Sequence, residues 1–459
     1  MRRCLWGELR GCTHRLAILQ GFDFLLGRCG NQGKPEQVSS GARHGQTGVT
    51  GYAKTTRDIQ CFETSQELTQ ARWYTIHVYW RQEIFAYLVR SLSGKYGPHG
   101  SGLERAIKMS SNKVALPLDE VKELSVEALL ASATIRPNAV AVAESIVAAE
   151  ADGIHSHGLM RLPTYCDHAL CGKVDGTVTP CIVKALSNAI TIDARCGFAH
   201  PAIALGFSTL IPAARNSGIA GLAVVNSYNC GVLGYHVERL ASEGLIGLAF
   251  VNTPAAIAPW GGKRALFGTN PIAFAAPRKH DSPLVIDQSS SIVARGEVLL
   301  KAKLAQPIPE TWGLDSDGKP TLDPKAVLNG GSMAPAGGYK GVAMALMVEV
   351  LAAALIGANF SYMASSLINN EGGPPRIGQF FVAIDPSAFV GDSFQDRIES
   401  LCTTIANEEG SRLPGERRKA ARIRAARDGI QLSRELYDDL MRRARGSSSK
   451  RGPRGGTAS

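Results

Sequence analysis

IAGLAVVNSYNCGVLGYHVERLASEGLIGLAFVN, residues 219–252, carries a strand, a turn, a helix and a second strand in one stretch. Ile219 to Asn226 and Leu245 to Asn252 are short apolar runs of the kind that form buried strands. VERLASEG (237–244) reads as a helix closed by a glycine. That succession predicts an α/β unit. In the turn, Gly231 and Gly234 let the backbone come close to a ligand, and the helix start offers N–H groups suited to a phosphate. The turn is not G-x-G-x-x-G, so a dinucleotide fold built on that fingerprint is poorly supported. An ordinary strand–turn–helix joint would look the same.

The pattern continues on both sides. NAITIDA, NPIAFAAP and SPLVIDQ read as further strands, and PAIALGFSTLIPAARNSG as a helix. Upstream, the texture changes at Met109, after which LSVEALLASA and AVAVAESIVAAEA predict two helices parted by Arg136-Pro137. From 337 a helical run closes the core. Its segment 341–358, GVAMALMVEVLAAALIGA, is the longest apolar run, with Glu349 in its middle, and is barely long enough to span a bilayer. A buried helix of a protein with no membrane partner is expected. Residues 1–108 lack a sustained period apart from a short helix near 78–92, and read as an N-terminal extension, disordered or added by a misassigned start. The working unit is expected at 109–445 and a disordered basic tail at 446–459.

Formal charge supports this division. Of the net +10, Lys plus Arg outnumber Asp plus Glu by 15 to 8 over residues 1–108 and by 14 to 5 over 412–459. Between them, 109–411 has 21 against 27, so the body is mildly acidic. Two basic ends whose aromatics form no stacking pattern are a weak basis for nucleic-acid binding, although a non-catalytic polyanion binder is a rival reading. The ten cysteines show no C-x-x-C spacing, which fits reduced thiols in a cytoplasmic protein without a metal site.

Chemistry concentrates in GIHSHGLMRLPTY (153–165). His157 and Arg161, four apart, can share a helical face. An imidazole delivers a proton near neutral pH, and a guanidinium fork holds a carboxylate by two hydrogen bonds. A small 2-oxo or 2-imino acid needs both; a solvated arginine and a core histidine would give the same spacing. Asp287, Gln288 and Ser289 end the strand of SPLVIDQ, where ligand crevices form, while Glu297 is either solvated or orients a histidine from behind. Lys340, at the start of an apolar helix, is misplaced for the helix dipole unless a phosphate offsets it. Arg412, Arg417 and Arg418 form a second basic cluster.

SHGLMRLPTY, DARCGFAHPA, NSYNCGVLGYHVERLA, APWGGKRALFGTNPIAFAAP, DQSSSIVARGEV, PAGGYKG and RLPGERR, in this order, resemble the malate/L-lactate dehydrogenase-like NAD(P)-dependent oxidoreductases. That family includes sulfolactate and ureidoglycolate dehydrogenases and Δ1-piperideine-2-carboxylate/Δ1-pyrroline-2-carboxylate reductase. The resemblance runs from about Met109 to about 440. It implies a mixed α/β, non-Rossmann fold with a helical part and a mixed-sheet cofactor part, working as a homodimer. By motif, Ser156 and His157 match the family's relay, with His157 the proton donor, and Arg161 and Thr269 match substrate contacts. Glu297 stands where imine reductases carry a relay aspartate, and Asn229 where many relatives have histidine. Asn229, Cys230, Gly231, Val232 and Leu233 match a cofactor-binding stretch, as do Asp287 to Ser289, Tyr339 with Lys340, and Leu413, Pro414, Gly415, Glu416, Arg417 and Arg418. The implied reaction is hydride transfer between nicotinamide and the α-carbon of a 2-oxo/2-hydroxy acid, with cyclic imino acid reduction the alternative. The basic residues favour NADPH over NADH.

Overall fold

The computed structural model describes residues 112–446. The expected extension at 1–108 and all but the first residue of the expected tail lie outside the described residues. In chain order the helical part opens with β1 (Lys113–Leu116), α1 (Leu118–Leu130), α2 (Arg136–Ala151) and α3 (Leu162–Leu170). Next come β2 (Cys181–Ala185), β3 (Ala189–Asp193), α4 (Ala199–Ser217), β4 (Ile219–Ser227), α5 (Leu233–Ser242), β5 (Ile246–Val251), β6 (Ile272–Ala276) and β7 (Leu284–Gln288). Then α6 (Arg295–Lys303), β8 (Gly313–Leu314), α7 (Pro324–Leu328), β9 (Ser332–Met333) and α8 (Tyr339–Glu349) lead to β10 (Ile377–Ile384). The described chain closes with α9 (Ser387–Val390), α10 (Ser393–Ala406), α11 (Glu416–Asp428), β11 (Ile430–Ser433) and α12 (Arg434–Ala444).

Both expected N-terminal helices form, and Pro137 sits in the first turn of α2, where its missing N–H costs nothing. They pack with α3, α12 and the small β1–β11 ladder around Val121, Leu129, Val142, Ile146, Leu162 and Leu440. All five expected strands form part of a seven-stranded mixed sheet of order β2-β3-β4-β10-β5-β6-β7. Of the seven strands, β2 and β10 are missing from the sequence reading, and the one that changes the topology is β10. It lies between β4 and β5, antiparallel to both, so the unit 219–252 does not place its two strands side by side. β10 reads as a plain apolar run because both sheet faces are covered, which leaves no alternation to mark it. Phe381 and Ala383 face α4 and α5, while Phe380 faces the segment after α8.

The apolar run at 341–358 begins as α8 and passes into a π-helical segment at Val350–Ala354. One side packs on the sheet through Val348 and Ala352. The other leaves Leu346, Met347, Val350 and Leu355 exposed, so this is not the wholly buried helix expected. Glu349 is buried, accepting hydrogen bonds from Asn270 Nδ2 (2.8 Å) and from the hydroxyl (2.6 Å) and N–H of Ser361. Among the described residues no helix is long and apolar enough to cross a membrane.

The topology gathers one edge of the sheet into a working face. β4, β5 and β7 run parallel to one another, and their carboxyl ends meet the starts of the antiparallel β6 and β10 there. Against this edge lies the loop between α2 and α3.

Candidate active site

A cavity of about 390 Å³ opens along that edge. Asn229 to Leu233 enter it after β4, Thr253 after β5, Thr269 before β6, and Asp287 to Ser289 at the end of β7. From the helical part come Ser156, His157 and Arg161. Thus the acid-base, carboxylate-binding and two of the cofactor-binding stretches expected from sequence share one cleft.

His157 and Arg161 do not lie on one helical face. Asp152-Gly153 ends α2, with Gly153 at φ 73°, and His155–His157 form a single 3-10 turn. Arg161 caps α3, on the far side of Gly158. Gly158 is obligatory there, because a side-chain carbon would fall on the buried Glu150 carboxylate. Glu150 holds the turn, taking the Leu159 N–H (2.7 Å) on one oxygen and meeting His155 Nδ1 (2.6 Å) with the other. Glu150 did not stand out in the sequence, since an acid on an amphipathic helix reads as solvated.

Ser156 Oγ lies 3.0 Å from His157 Nδ1, which leaves Nε2 as the free ring nitrogen. Burial, and then the adjacent Arg161 charge, push the His157 pKa down to about 4. Arg161 donates to the Leu367 carbonyl (3.1 Å) and lies over the Tyr165 ring, and has no carboxylate partner among the described residues. The third expected relay member is apart. Glu297 lines the cleft and is exposed, with Ser156 bonded to His157 and not to it. Thr269 is fixed through Thr253, whose hydroxyl accepts the Thr269 N–H at 3.0 Å.

Behind Arg161 sits a set the sequence reading passed over. Lys173, fully buried, donates to the carbonyls of Ser366, Asn369 and Glu371, the Asn369 bond being 3.0 Å. His168 bridges Tyr228 Oη (2.5 Å) and the same Asn369 carbonyl (2.9 Å). Together they pin the segment that presents Leu367 to Arg161. Carbonyl ligands carry no sequence signature, so Lys173 reads as an ordinary surface cation.

The cofactor-binding stretches divide. Asn229 Oδ1 accepts from Tyr165 Oη (2.6 Å) and from the Gly231 N–H (2.9 Å), shaping the turn that puts Gly231 at φ 71°. Cys230 is buried, and burial raises its thiol pKa to about 12. At the start of α5, where free N–H groups were expected, that of Gly234 is already taken. Asp287 Oδ2 accepts the Gly234 N–H at 2.7 Å and lies 3.6 Å from Arg418. Burial raises the Asp287 pKa against both of those contacts. Leu413 to Glu416 line a smaller pocket of about 190 Å³, which meets the main cleft at Arg418. Tyr339, Lys340 and Arg417 are exposed and line neither; Tyr339 packs edge-on against Trp260.

Two observations fit a phosphate-bearing cofactor at the Arg418 junction. Arg418 Nη1 is buried and has no hydrogen-bond partner among the described residues. A side chain at position 234 would strike that nitrogen at 2.5 Å, so glycine keeps backbone, guanidinium and Asp287 packed together.

Residues 116–441 match the family described as malate/L-lactate dehydrogenase. The chain belongs to that family. It is 47% identical over 325 residues to the (2R)-3-sulfolactate dehydrogenase (NADP(+)) of Chromohalobacter salexigens, covering 71% of this chain and 96% of that one. With the Δ1-pyrroline-2-carboxylate/Δ1-piperideine-2-carboxylate reductase of Pseudomonas putida it shares 38% over 331 residues, 72% of this chain and 97% of the relative. The crystal structure of Δ1-piperideine-2-carboxylate reductase from Pseudomonas syringae superposes with a TM-score of 0.68 at 37% identity, covering 71% and 98% of the two chains. This family member is an NAD(P)-dependent oxidoreductase, with the mixed α/β fold of its structural relatives.

Proposed function

We propose that the cleft reduces a small 2-oxo acid at its α-carbon and, in reverse, oxidises the 2-hydroxy acid. The observation that carries this reading is the entry of His157 and Arg161 into one cavity with the 229–233 and 287–289 stretches. The first relative, a 2-hydroxy acid dehydrogenase, favours oxygen over nitrogen at the reacting carbon, and cyclic imino acid reduction is the second reading.

When bound, the nicotinamide supplies or accepts the hydride. Gly231, Asp287 to Ser289 and Arg418 would hold the cofactor, and the neighbouring Leu413–Glu416 pocket would take its outer part. Arg161, with no carboxylate partner among the described residues, takes the substrate carboxylate in a two-bond grip and so fixes the α-carbon. That grip acts on His157 as well. Arg161's charge helps keep the imidazole neutral, so a carboxylate that cancels it lets His157 take a proton, with Ser156 Oγ holding Nδ1. The proton is then delivered from Nε2 to the developing oxyanion or amine. Glu297 is the candidate third relay member once acid and cofactor exclude water from its side of the cleft.

A substrate panel of 2-oxo, 2-hydroxy and cyclic imino acids with NADPH and NADH tests the reading; no turnover with any of them rejects it. The Arg418 cluster favours NADPH, as does the NADP(+) in the first relative's name. We further infer a cytoplasmic homodimer. The exposed apolar side of α8 and its extension supports pairing, and Tyr362 and Met363 add to it. Light scattering at micromolar concentration tests this; a monomer rejects it.

A further inference from the structure

Beyond the Leu413–Glu416 stretch, α11 carries Arg418 in its first turn and Arg422 one turn further on, on the same face. Arg422 does not line the main cleft. It holds two carboxylates at once. Its Nε and Nη2 donate to Asp152, the Nη2 bond being 3.1 Å, and its Nη1 and Nη2 donate to Glu238 at 2.6 Å each. Among the described residues no other side chain of α11 hydrogen-bonds to Asp152 or to α5.

Both carboxylates stand next to segments that enter the cleft. Asp152 is buried and caps α2, and Gly153 then begins the turn that carries Ser156 and His157. Glu238 lies in the second turn of α5, behind the Asn229–Leu233 stretch. α11 also packs on the His157 turn directly, since a side-chain carbon on Gly153 would lie 3.5 Å from Ala421 Cβ. One guanidinium therefore ties the helix after the 413–416 stretch to the helix behind the 229–233 turn and to the start of the acid-base turn. As a source of stability such a cluster is weak, because apolar side chains of the same volume would often serve as well. What two planar grips on one fork add is direction, and a lysine ammonium cannot reproduce it.

We propose that Arg422 is a positioning residue, through which occupation of the cofactor site fixes the turn that carries Ser156 and His157. This coupling rests on the cofactor placement given above. A cofactor seated against Leu413–Arg418 and the 229–233 turn holds α11 and α5 still; both hold Arg422, and Arg422 holds Asp152. The acid site is then completed once the cofactor is in place, and by linkage a bound acid tightens the cofactor in return.

Hydrogen exchange on the full chain, read by peptide with and without saturating NADPH or NADH, tests this. The His157 N–H bonds to the Ile154 carbonyl and the Leu159 N–H to Glu150, so exchange across 153–159 reports the turn itself. In the wild type, cofactor should slow exchange there by about tenfold, an ordinary coupling between two sites. Arg422→Gln should abolish that slowing while protection across 413–419 persists and cofactor Kd stays within about threefold. Its kcat should fall about 10–10²-fold, the cost of a misplaced acid-base group. Arg422→Lys, which keeps the charge and loses the fork, should restore only part of both. Protection of 153–159 that persists in Arg422→Gln overturns the proposal. So does a cofactor Kd weakened tenfold or more in that variant, which would make Arg422 a direct cofactor contact. Should Arg422→Gln fail to fold, Asp152→Asn leaves Glu238 on the guanidinium and weakens only the arm to the turn. It should lose the protection too, and full protection there overturns the proposal. Wild-type protein that binds neither nucleotide removes the oxidoreductase reading along with this one; binding that protects 413–419 but not 153–159 removes this one alone.

Discussion

At the residue scale the site is a set of constraints on one imidazole. Ser156 Oγ fixes Nδ1, burial and Arg161 hold the ring neutral, and Glu150 fixes the turn that carries it. His157→Ala is expected to lose about 10²–10⁴-fold in kcat while cofactor Kd holds, as measured by nucleotide fluorescence quenching. Unimpaired turnover would remove His157 from the mechanism. Because the imidazole pKa is depressed to about 4 in the free protein, binding an unreactive carboxylate analogue should take up protons near pH 6. Calorimetry in two buffers of different ionisation enthalpy reads that number, and the uptake should vanish in Arg161→Gln. Gly158→Ala forces a methyl onto Glu150 and is expected to destabilise the fold by about 1–3 kcal/mol; an unchanged denaturation midpoint would show that the turn can shift.

Elements then decide how those residues meet. The segment at 366–371 has no regular structure, yet it supplies Arg161 with its backbone acceptor because three of its carbonyls converge on Lys173. Lys173→Met removes that convergence, and the expected result is an acid KM raised about tenfold, the loss of roughly one charged hydrogen bond, with cofactor Kd unchanged. Steady-state kinetics with NADPH check it; a fall in kcat alone would mean the segment acts otherwise. β10 is the second case. Phe381 is fully buried and meets Phe207 edge-on at 5.3 Å. Truncation to alanine should cost about 3–5 kcal/mol in a chemical denaturation series.

Across the whole molecule, buried neutral histidines set the acid limit. His168, His200 and His236 are buried, and burial depresses their pKa values to about 4, 3 and 4. In the unfolded chain each protonates near 6.5. Above that pH both states carry the neutral ring and no stability is lost; below it the unfolded state binds protons that the folded state refuses. Stability therefore falls as pH drops from about 6.5 toward 4, by at most about 4 kcal/mol per pH unit for three groups. Denaturation midpoints from pH 7.5 to 5 measure this, and a flat profile above the carboxylate range would contradict it.

What the string of residues settles is local. Strands at 189–193, 219–227, 246–251, 272–276 and 284–288 and the paired helices before them follow from apolar runs, turn residues and a well-placed proline, which neighbours in the chain specify. The motif order names the family and nominates His157 and Arg161. Folding alone decides the rest. A strand buried on both faces has no period to read, so β10 and its place between β4 and β5 emerge only when the sheet forms. Backbone carbonyls are the same in every residue, so the Lys173 clasp is invisible in one dimension. And whether a charge is matched depends on what packs around it: Asp287 answers the Gly234 N–H and Arg418.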